Sequence, residues 1–451
     1  MSLVTPERQV AFDVLRRTFE REEHTEVAFR EEAAARELTG RNRAQAQRLS
    51  YGAVQRRGTS DWVISSFMKQ KSRRPDPAVA AALRLGIFEL LFSDGTPDHA
   101  AVDQAVSLVR AAGADHAAGF ANALLRRTLR ERDSLTEKLA DDSTPGKAAI
   151  AHSIPDWLAR LWWEELGPDR ARALMAASNR PSERAVRVNT ARTTVEEAIE
   201  RLSGPDLELV RAEGPWPLAP PELLVARGSL AAIEEAAQEG LVVSQARGSA
   251  AVVEVLDPLP EERILDLCAG PGIKTGQIAA RVGRAGNMVS VEPDEERAHE
   301  VAAQLERLGF HHGLVVEVDA RHGEIMSGFD RVLVDAPCSD LGALASRPDA
   351  RWRKSPALIE RVAELQGEIL DRGAGFLREG GSLVYSTCTI SKRENSDQAL
   401  ALAKEHGLTI DDLGGRAPQL ADPHDSRFLQ LMPDRDHTTG FFIARFVSGG
   451  D

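Results

Sequence analysis

At 451 residues the chain is too long for one ordinary domain and long enough for two or three, each with its own core. Its 42% hydrophobic and 28% charged residues suit a globular protein in water. No apolar run approaches the length that spans a bilayer, and Met1-Ser-Leu-Val-Thr-Pro-Glu-Arg8 has no apolar core of an export signal. A formal net charge of −13 argues against a broad, non-specific nucleic-acid binder and leaves room for a local basic patch.

Residues 1–140 read as a helical bundle. Arg8 to Phe19 places Val10, Val14, Leu15 and Phe19 at helical spacing, and the pattern returns over Arg43–Gln55 and Asp61–Met68. Lys69 to Pro77 is basic and broken by two prolines, hence a loop. Pro77 opens a helix with Leu83, Ile87, Leu90 and Leu91 on one face, and Ala100–Ala112 and Phe120–Arg132 complete the set. The runs Ala82–Leu91, Pro97–Val106 and Phe120–Arg127 together resemble the NusB-type RNA-binding helical domain. That resemblance covers most of residues 5–135 and implies binding of RNA or of a partner protein. Arg43, Arg48, Arg56, Arg57, Lys69, Lys71, Arg73 and Arg74 are then candidates for a phosphate-facing patch. For each of them singly, a solvated helix face is the plainer reading.

Residues 141–245 are expected to hold linker helices, including one opening at Pro155, and a small α+β subdomain of short strands with one helix over Thr194–Leu202. Residues 246–451 alternate strand and helix. Strands are predicted at 263–268, 287–292, 313–319, 329–335 and 381–386, with a terminal strand at 441–446. Strands separated by helices imply an α/β fold with a parallel, doubly wound sheet.

In such a sheet a ligand sits beyond the C-terminal strand ends. Cys268-Ala269-Gly270-Pro271-Gly272-Ile273-Lys274 follows the first strand as a glycine turn into a helix, so these residues are the candidate cofactor cradle. Glu292 ends the second strand 22 residues after Gly270 (292 − 270), where a carboxylate can hold a ribose. Asp319 ends the third, where an adenine amino group could be met. The spacing is neither the dinucleotide G-x-G-x-x-G nor the phosphate loop G-x-x-x-x-G-K-[ST]. An adenosine with a compact charged tail, S-adenosyl-L-methionine, fits better, and a tight turn with no ligand is the plainer alternative.

The chain has three cysteines, Cys268, Cys338 and Cys388, too few for a disulfide framework; a reducing, cytoplasmic setting is expected. None lies in Cys-x-x-Cys and no histidine pair joins them, so no metal site is expected. Cys338 follows the fourth strand in Asp335-Ala-Pro-Cys-Ser339, and Cys388 the fifth in Tyr385-Ser-Thr-Cys-Thr-Ile390, on the side where ligands bind.

These two segments, with Arg347-Pro-Asp-Ala-Arg-Trp352, resemble the RNA 5-methylcytosine methyltransferases of the Sun/Fmu (RsmB-like) type, which join a NusB-like domain to a Rossmann-like S-adenosylmethionine-dependent methyltransferase domain. The resemblance covers nearly the whole chain. It implies that Cys388 is the nucleophile adding to cytosine C6, that Cys338 serves release, and that Asp335 holds the base edge and also lines the cofactor site. Lys274 would lower a thiol pKa or orient Asp335, unless it is only a surface lysine at a helix start; Cys268 would be a backbone contact. Small-subunit ribosomal RNA is the implied substrate and a monomer is assumed. The sequence departs from the family pattern at Gly270 (usually alanine), Ile273 (usually glycine), Ala246 (usually aspartate) and Asp340 (usually small). Two rival readings are a cytosine methyltransferase acting on tRNA or DNA, the DNA type using the first cysteine as nucleophile, and a non-catalytic RNA-binding or assembly factor.

Overall fold

Residues 4–68, 74–228, 231–283, 287–311 and 313–449 are described by the computed structural model. Lys69, Lys71 and Arg73 of the expected basic patch lie outside them. The chain forms two units, Met1–Arg180 with Leu344–Arg353, and Pro181–Ala343 with Lys354–Asp451. Among the described residues no helix is long and apolar enough to cross a membrane.

Apolar stripes at helical spacing build the first unit. Its central helix, Pro77–Phe92, begins at a proline, whose missing N–H costs nothing there, and buries ten of the eleven residues from Val79 to Glu89 on all sides. The buried Glu89 is neutralised by Arg8 at 2.7 Å. Gly52 of the helix Gly40–Gln55 lets the Phe88 ring approach; a Cβ there would lie 2.1 Å from it. A helix over Thr25–Ala35 went unpredicted because its apolar face is only Ala28, Phe29 and Ala33. The helical unit continues past residue 140 through Pro145–His152, Asp156–Leu166 and Pro168–Ala177.

Two of the expected phosphate-facing arginines are half-buried and packed on aromatic rings. Arg56 donates to the Ala151 carbonyl at 3.1 Å and lies 4.4 Å over the Phe92 ring, and burial lowers its pKa to about 10. Arg57 sits over the Phe19 and Trp352 rings, and its pKa is also lowered by burial. Arg43 covers Phe29, Arg48 donates to Ser93, and Arg74 is exposed. The remote segment Leu344–Arg353 completes this unit. Its Arg351 is fully buried and donates to the carbonyls of Ser153, Ser178 and Leu344 and to Asn179 Oδ1, at 2.8–3.2 Å. Trp352 Nε1 donates to the Val54 carbonyl at 2.8 Å.

The second unit holds two sheets. The smaller consists of β1 (Ala185–Val188), β2 (Leu207–Arg211), β3 (Leu223–Gly228) and β4 (Val242–Ser244), antiparallel in the order β2-β3-β1-β4. Two helices accompany it, not the single one expected. Val195–Leu202 starts with a Thr194/Glu197 capping box. Ala231–Gln238 is eight residues of mostly alanine and glutamate, too short to show a period.

The larger sheet contains β5 (Arg263–Asp266), β6 (Asn287–Val291), β7 (Leu314–Val316), β8 (Phe329–Asp335), β9 (Leu377–Thr387), β10 (Thr409–Ile410), β11 (Leu429–Leu431) and β12 (Phe441–Val447). The order is β10-β12-β9-β8-β5-β6-β7, with β11 on β12. The five strands β7-β6-β5-β8-β9 are parallel, as the helix–strand alternation requires. The terminal strand β12 instead runs antiparallel to β9. From β5 the chain winds to β6 and β7 on one side and then to β8 and β9 on the other. The crevice over β5 and β8 is therefore the switch point where ligands bind. Leu265, Val332, Leu333, Val334, Leu383 and Val384 are fully buried and fix these strand ends in place.

Candidate active site

β8 and β9 pair in parallel with Asp335 opposite Ser386, so their continuations leave the sheet side by side. The Ala336 N–H donates to the Ser386 carbonyl, and the Gly342 N–H to the Cys388 carbonyl, both at 3.0 Å. Gly342 is required here, since a Cβ would lie 2.4 Å from the Gly440 carbonyl oxygen. The two loops are pinned together by the fully buried Glu394 carboxylate, which accepts from Ser339 N at 2.8 Å, Ser339 Oγ at 2.5 Å and Thr389 Oγ1 at 3.4 Å. This stitching brings the Cys338 and Cys388 sulfurs, 50 residues apart in sequence, to 3.3 Å.

Two carboxylates, each paired with a lysine, lie beside the sulfurs. Asp335 Oδ2 pairs with Lys274 Nζ at 2.5 Å, and Asp335 Oδ1 accepts from Ser386 Oγ at 2.7 Å. Lys274 is largely buried and lies 5.1 Å over the Phe441 ring, so its charge is committed to Asp335. Asp340 Oδ1 accepts from Cys388 Sγ at 3.2 Å, while its Oδ2 pairs with Lys354 Nζ at 3.1 Å. One atom from each of Cys338, Asp340 and Cys388 falls within 4.8 Å of the others. The hydrogen bond with Cys338, burial, and the nearby carboxylates of Asp340 and Asp335 push the Cys388 thiol well above its usual pKa. It therefore rests as a thiol at neutral pH.

The cradle lies at the end of β5. Gly272 takes φ +91° and caps the helix Ile273–Val282, with Lys274 at its second position. Its N–H closes a tight turn on the Ala269 carbonyl at 2.7 Å. Glu292, one residue beyond β6 and 4% exposed, accepts from the Gly270 N–H at 3.1 Å. Pro271 is exposed at the tip. Cys268 is half-buried, and burial pushes its thiol well above the usual range. Asp319 does not end a strand, because β7 stops at Val316. Its carboxylate is engaged by Arg321 at 2.8 Å, which holds its pKa down at about 2.

The family model of the 16S rRNA methyltransferase RsmB/F matches residues 253–447, that of the NusB family residues 5–130, and that of an RsmF/B-like ferredoxin-like domain residues 154–214. The chain is 30% identical to a probable ribosomal RNA small subunit methyltransferase B of Bacillus subtilis, over 99% of both chains. It is 31% identical to one so named in Synechocystis, over 97% of this chain and 98% of the other. The chain belongs to the RsmB/F methyltransferase family. The crystal structure of PH0851 superposes over 99% of both chains with a TM-score of 0.81 at 26% identity.

Within this RsmB/F fold the structure brings together Cys338, Cys388, Asp335 and Lys274, and separately Cys268 to Lys274 with Glu292. Asp319 is the one whose carboxylate is tied up elsewhere. Ser386, Glu394 and Asp340 were missed as site residues. Ser386 could have been found from the register of two predicted parallel strands; Glu394 and Asp340 depend on loop paths that carry no period. The floor of the cradle is bare backbone. A Cβ at residue 270 would lie 2.2 Å from Glu292 Oε2, and one at 272 would lie 3.1 Å from the Val301 Cα. A glycine turn, a helix N-terminus and a buried carboxylate at the next strand end form a donor set that fits an adenosine with a charged tail.

Proposed function

We propose that this chain transfers a methyl group from S-adenosyl-L-methionine to C5 of a cytosine in RNA, with small-subunit ribosomal RNA as the substrate. The observation that carries this reading is the pair of sulfurs 3.3 Å apart at the switch point, beside a carboxylate fixed by Lys274 and Ser386. The names of the Bacillus and Synechocystis relatives support the ribosomal substrate.

Cytosine C5 is a poor nucleophile. Addition of the Cys388 sulfur to C6 makes C5 enamine-like, which is covalent catalysis. Asp335, with its two oxygens oriented by Lys274 and Ser386, holds the N3/N4 edge of the base in the attacking pose. When bound in the cradle, S-adenosyl-L-methionine supplies the methyl group as an electrophilic sulfonium. Glu292 and the Cys268–Lys274 turn hold its nucleoside. Cys338 serves the release step, when the C5 proton leaves, the C6–S bond breaks and the C5=C6 double bond re-forms. Reaching C5 and C6 needs a base out of its stack, so the target lies in a loop or a loosened helix.

Incubation with labelled cofactor and small-subunit ribosomal RNA, tRNA or DNA tests this reading. The expected result is label at C5 of cytosine in the ribosomal RNA, lost in Cys388→Ala. Label on DNA with Cys338 as the attacking residue, or no transfer to any nucleic acid, would overturn it.

A further inference from the structure

Asp340 holds a backbone conformation, φ +58°, that a side chain rarely adopts and glycine adopts freely. Aspartate is among the few residues that tolerate it. In that conformation the carboxylate lies between the attacking sulfur and a lysine, with Oδ1 3.2 Å from Cys388 Sγ and Oδ2 3.1 Å from Lys354 Nζ.

A thiol attacks only as its thiolate, so the proton of Cys388 needs an acceptor. The groups facing this sulfur are the Cys338 thiol and the carboxylates of Asp335 and Asp340, with Lys274 and Lys354 behind them. Cys338 is itself a thiol. Asp335 has one oxygen on Lys274 and the other on Ser386. Asp340 is the carboxylate already in contact with the thiol, and Lys354 at its far oxygen keeps it aimed. The hydrogen bond with Cys338, burial and the two carboxylates together disfavour a standing thiolate at Cys388. A base that acts during the attack is what such a site needs.

Resting on the reading above, we infer that Asp340 is a further catalytic residue of this chain, taking the proton of the Cys388 thiol as the sulfur attacks C6 and returning it when the adduct breaks. In the forward step the S–H bond breaks and its proton passes to Asp340 Oδ1. The sulfur lone pair forms the C6–S bond, and the C5=C6 pair moves to C5. Once C5 has taken the methyl group, its proton passes to water while the C5–H pair re-forms C5=C6, the C6–S bond breaks with its pair returning to sulfur, and Asp340 gives its proton back. No oxidant or further reactant is needed.

The test is the rate of covalent adduct formation with RNA carrying 5-fluorocytosine at the target position, in the presence of S-adenosyl-L-methionine, followed from pH 6 to 10. Fluorine cannot leave as the proton does, so the adduct persists and is counted on a denaturing gel. Asp340→Gly suits the backbone conformation, Asp340→Asn keeps the shape, and Asp340→Glu keeps the base. Asp340→Gly and Asp340→Asn are expected to slow the reaction by about 100-fold at pH 7. Their rates should climb with pH where wild type has levelled off, with cofactor and RNA affinity unchanged. Asp340→Glu should recover at least about tenfold over Asp340→Asn. A loss below about tenfold at pH 7, or a loss of the same size at every pH, overturns the inference. If wild type forms no adduct, or Cys388→Ala still does, the proposed function itself falls. If wild type reacts and the Asp340 variants match it, only the role of Asp340 falls.

Discussion

The end of β5 and the paired ends of β8 and β9 occupy equivalent places in one sheet, and each is followed by a cysteine within three residues. Their surroundings differ. Cys268 is half-buried against the core cluster of the sheet, and burial is the largest cause of its raised pKa, ahead of the charges of Asp266, Asp335 and Glu292. Cys338 and Cys388 face each other and a carboxylate, in loops tied by Glu394. A cysteine at a ligand-binding strand end is therefore not a nucleophile by position. What separates the two cases is the second sulfur at 3.3 Å and the hydrogen bond from Cys388 to the Asp340 carboxylate.

That contrast can be broken or sharpened by substitution. The largest effect is expected from Cys388→Ala, which should lower turnover on the order of 10⁴-fold or more and leave no RNA–protein adduct, measured by methyl incorporation and denaturing gels. Cys338→Ala comes next. Turnover should fall about 100-fold while the adduct accumulates, because attack proceeds and release stalls.

The cradle offers a different readout. Burial raises the pKa of Asp266 to about 6 from its ordinary 3.8, and Thr275 donates to its carboxylate at 2.7 Å. A raised folded-state pKa gives stability that is intact below pH 3.8 and lost as pH rises through about 6. Relative to wild type, Asp266→Asn should thus gain about 2 kcal/mol between pH 4 and pH 8, read from urea unfolding of the cofactor-free protein at both pH values. A gap that does not change with pH would mean this carboxylate is no strain on the fold. The smallest effect belongs to Cys268→Ala. Activity should stay within about threefold of wild type and stability fall by about 1 kcal/mol. A loss as deep as that of Cys388→Ala would erase the distinction between the two strand ends.

Much of this was legible in the residues. The alternation from Arg263 onward dictated the parallel strands, and their ends located Cys338, Cys388, Asp335 and the cradle. Features that depend on tertiary contacts were not. The antiparallel insertion of β12 beside β9 has no signature in Phe441–Phe446, whose apolar run suits either direction. The third strand ends at Val316, and Asp319 lies beyond it in a turn where it accepts from the Arg321 N–H. The inward course of Arg56 and Arg57 reflects aromatic rings contributed by Phe19, Phe92 and Trp352, residues far from them in sequence. A charge count treats such arginines as surface.

The membership of Leu344–Arg353 in the first unit has a consequence for biosynthesis. Arg351 and Trp352 fill slots beside Ser153, Asn179 and Val54, so the N-terminal bundle lacks a piece of its interior until residue 353 has left the ribosome. Most N-terminal domains settle as they are made. This one has to wait for a visitor encoded three-quarters of the way down the message, and a truncated gene stopping at Arg180 would yield a bundle with a hole where that visitor belongs.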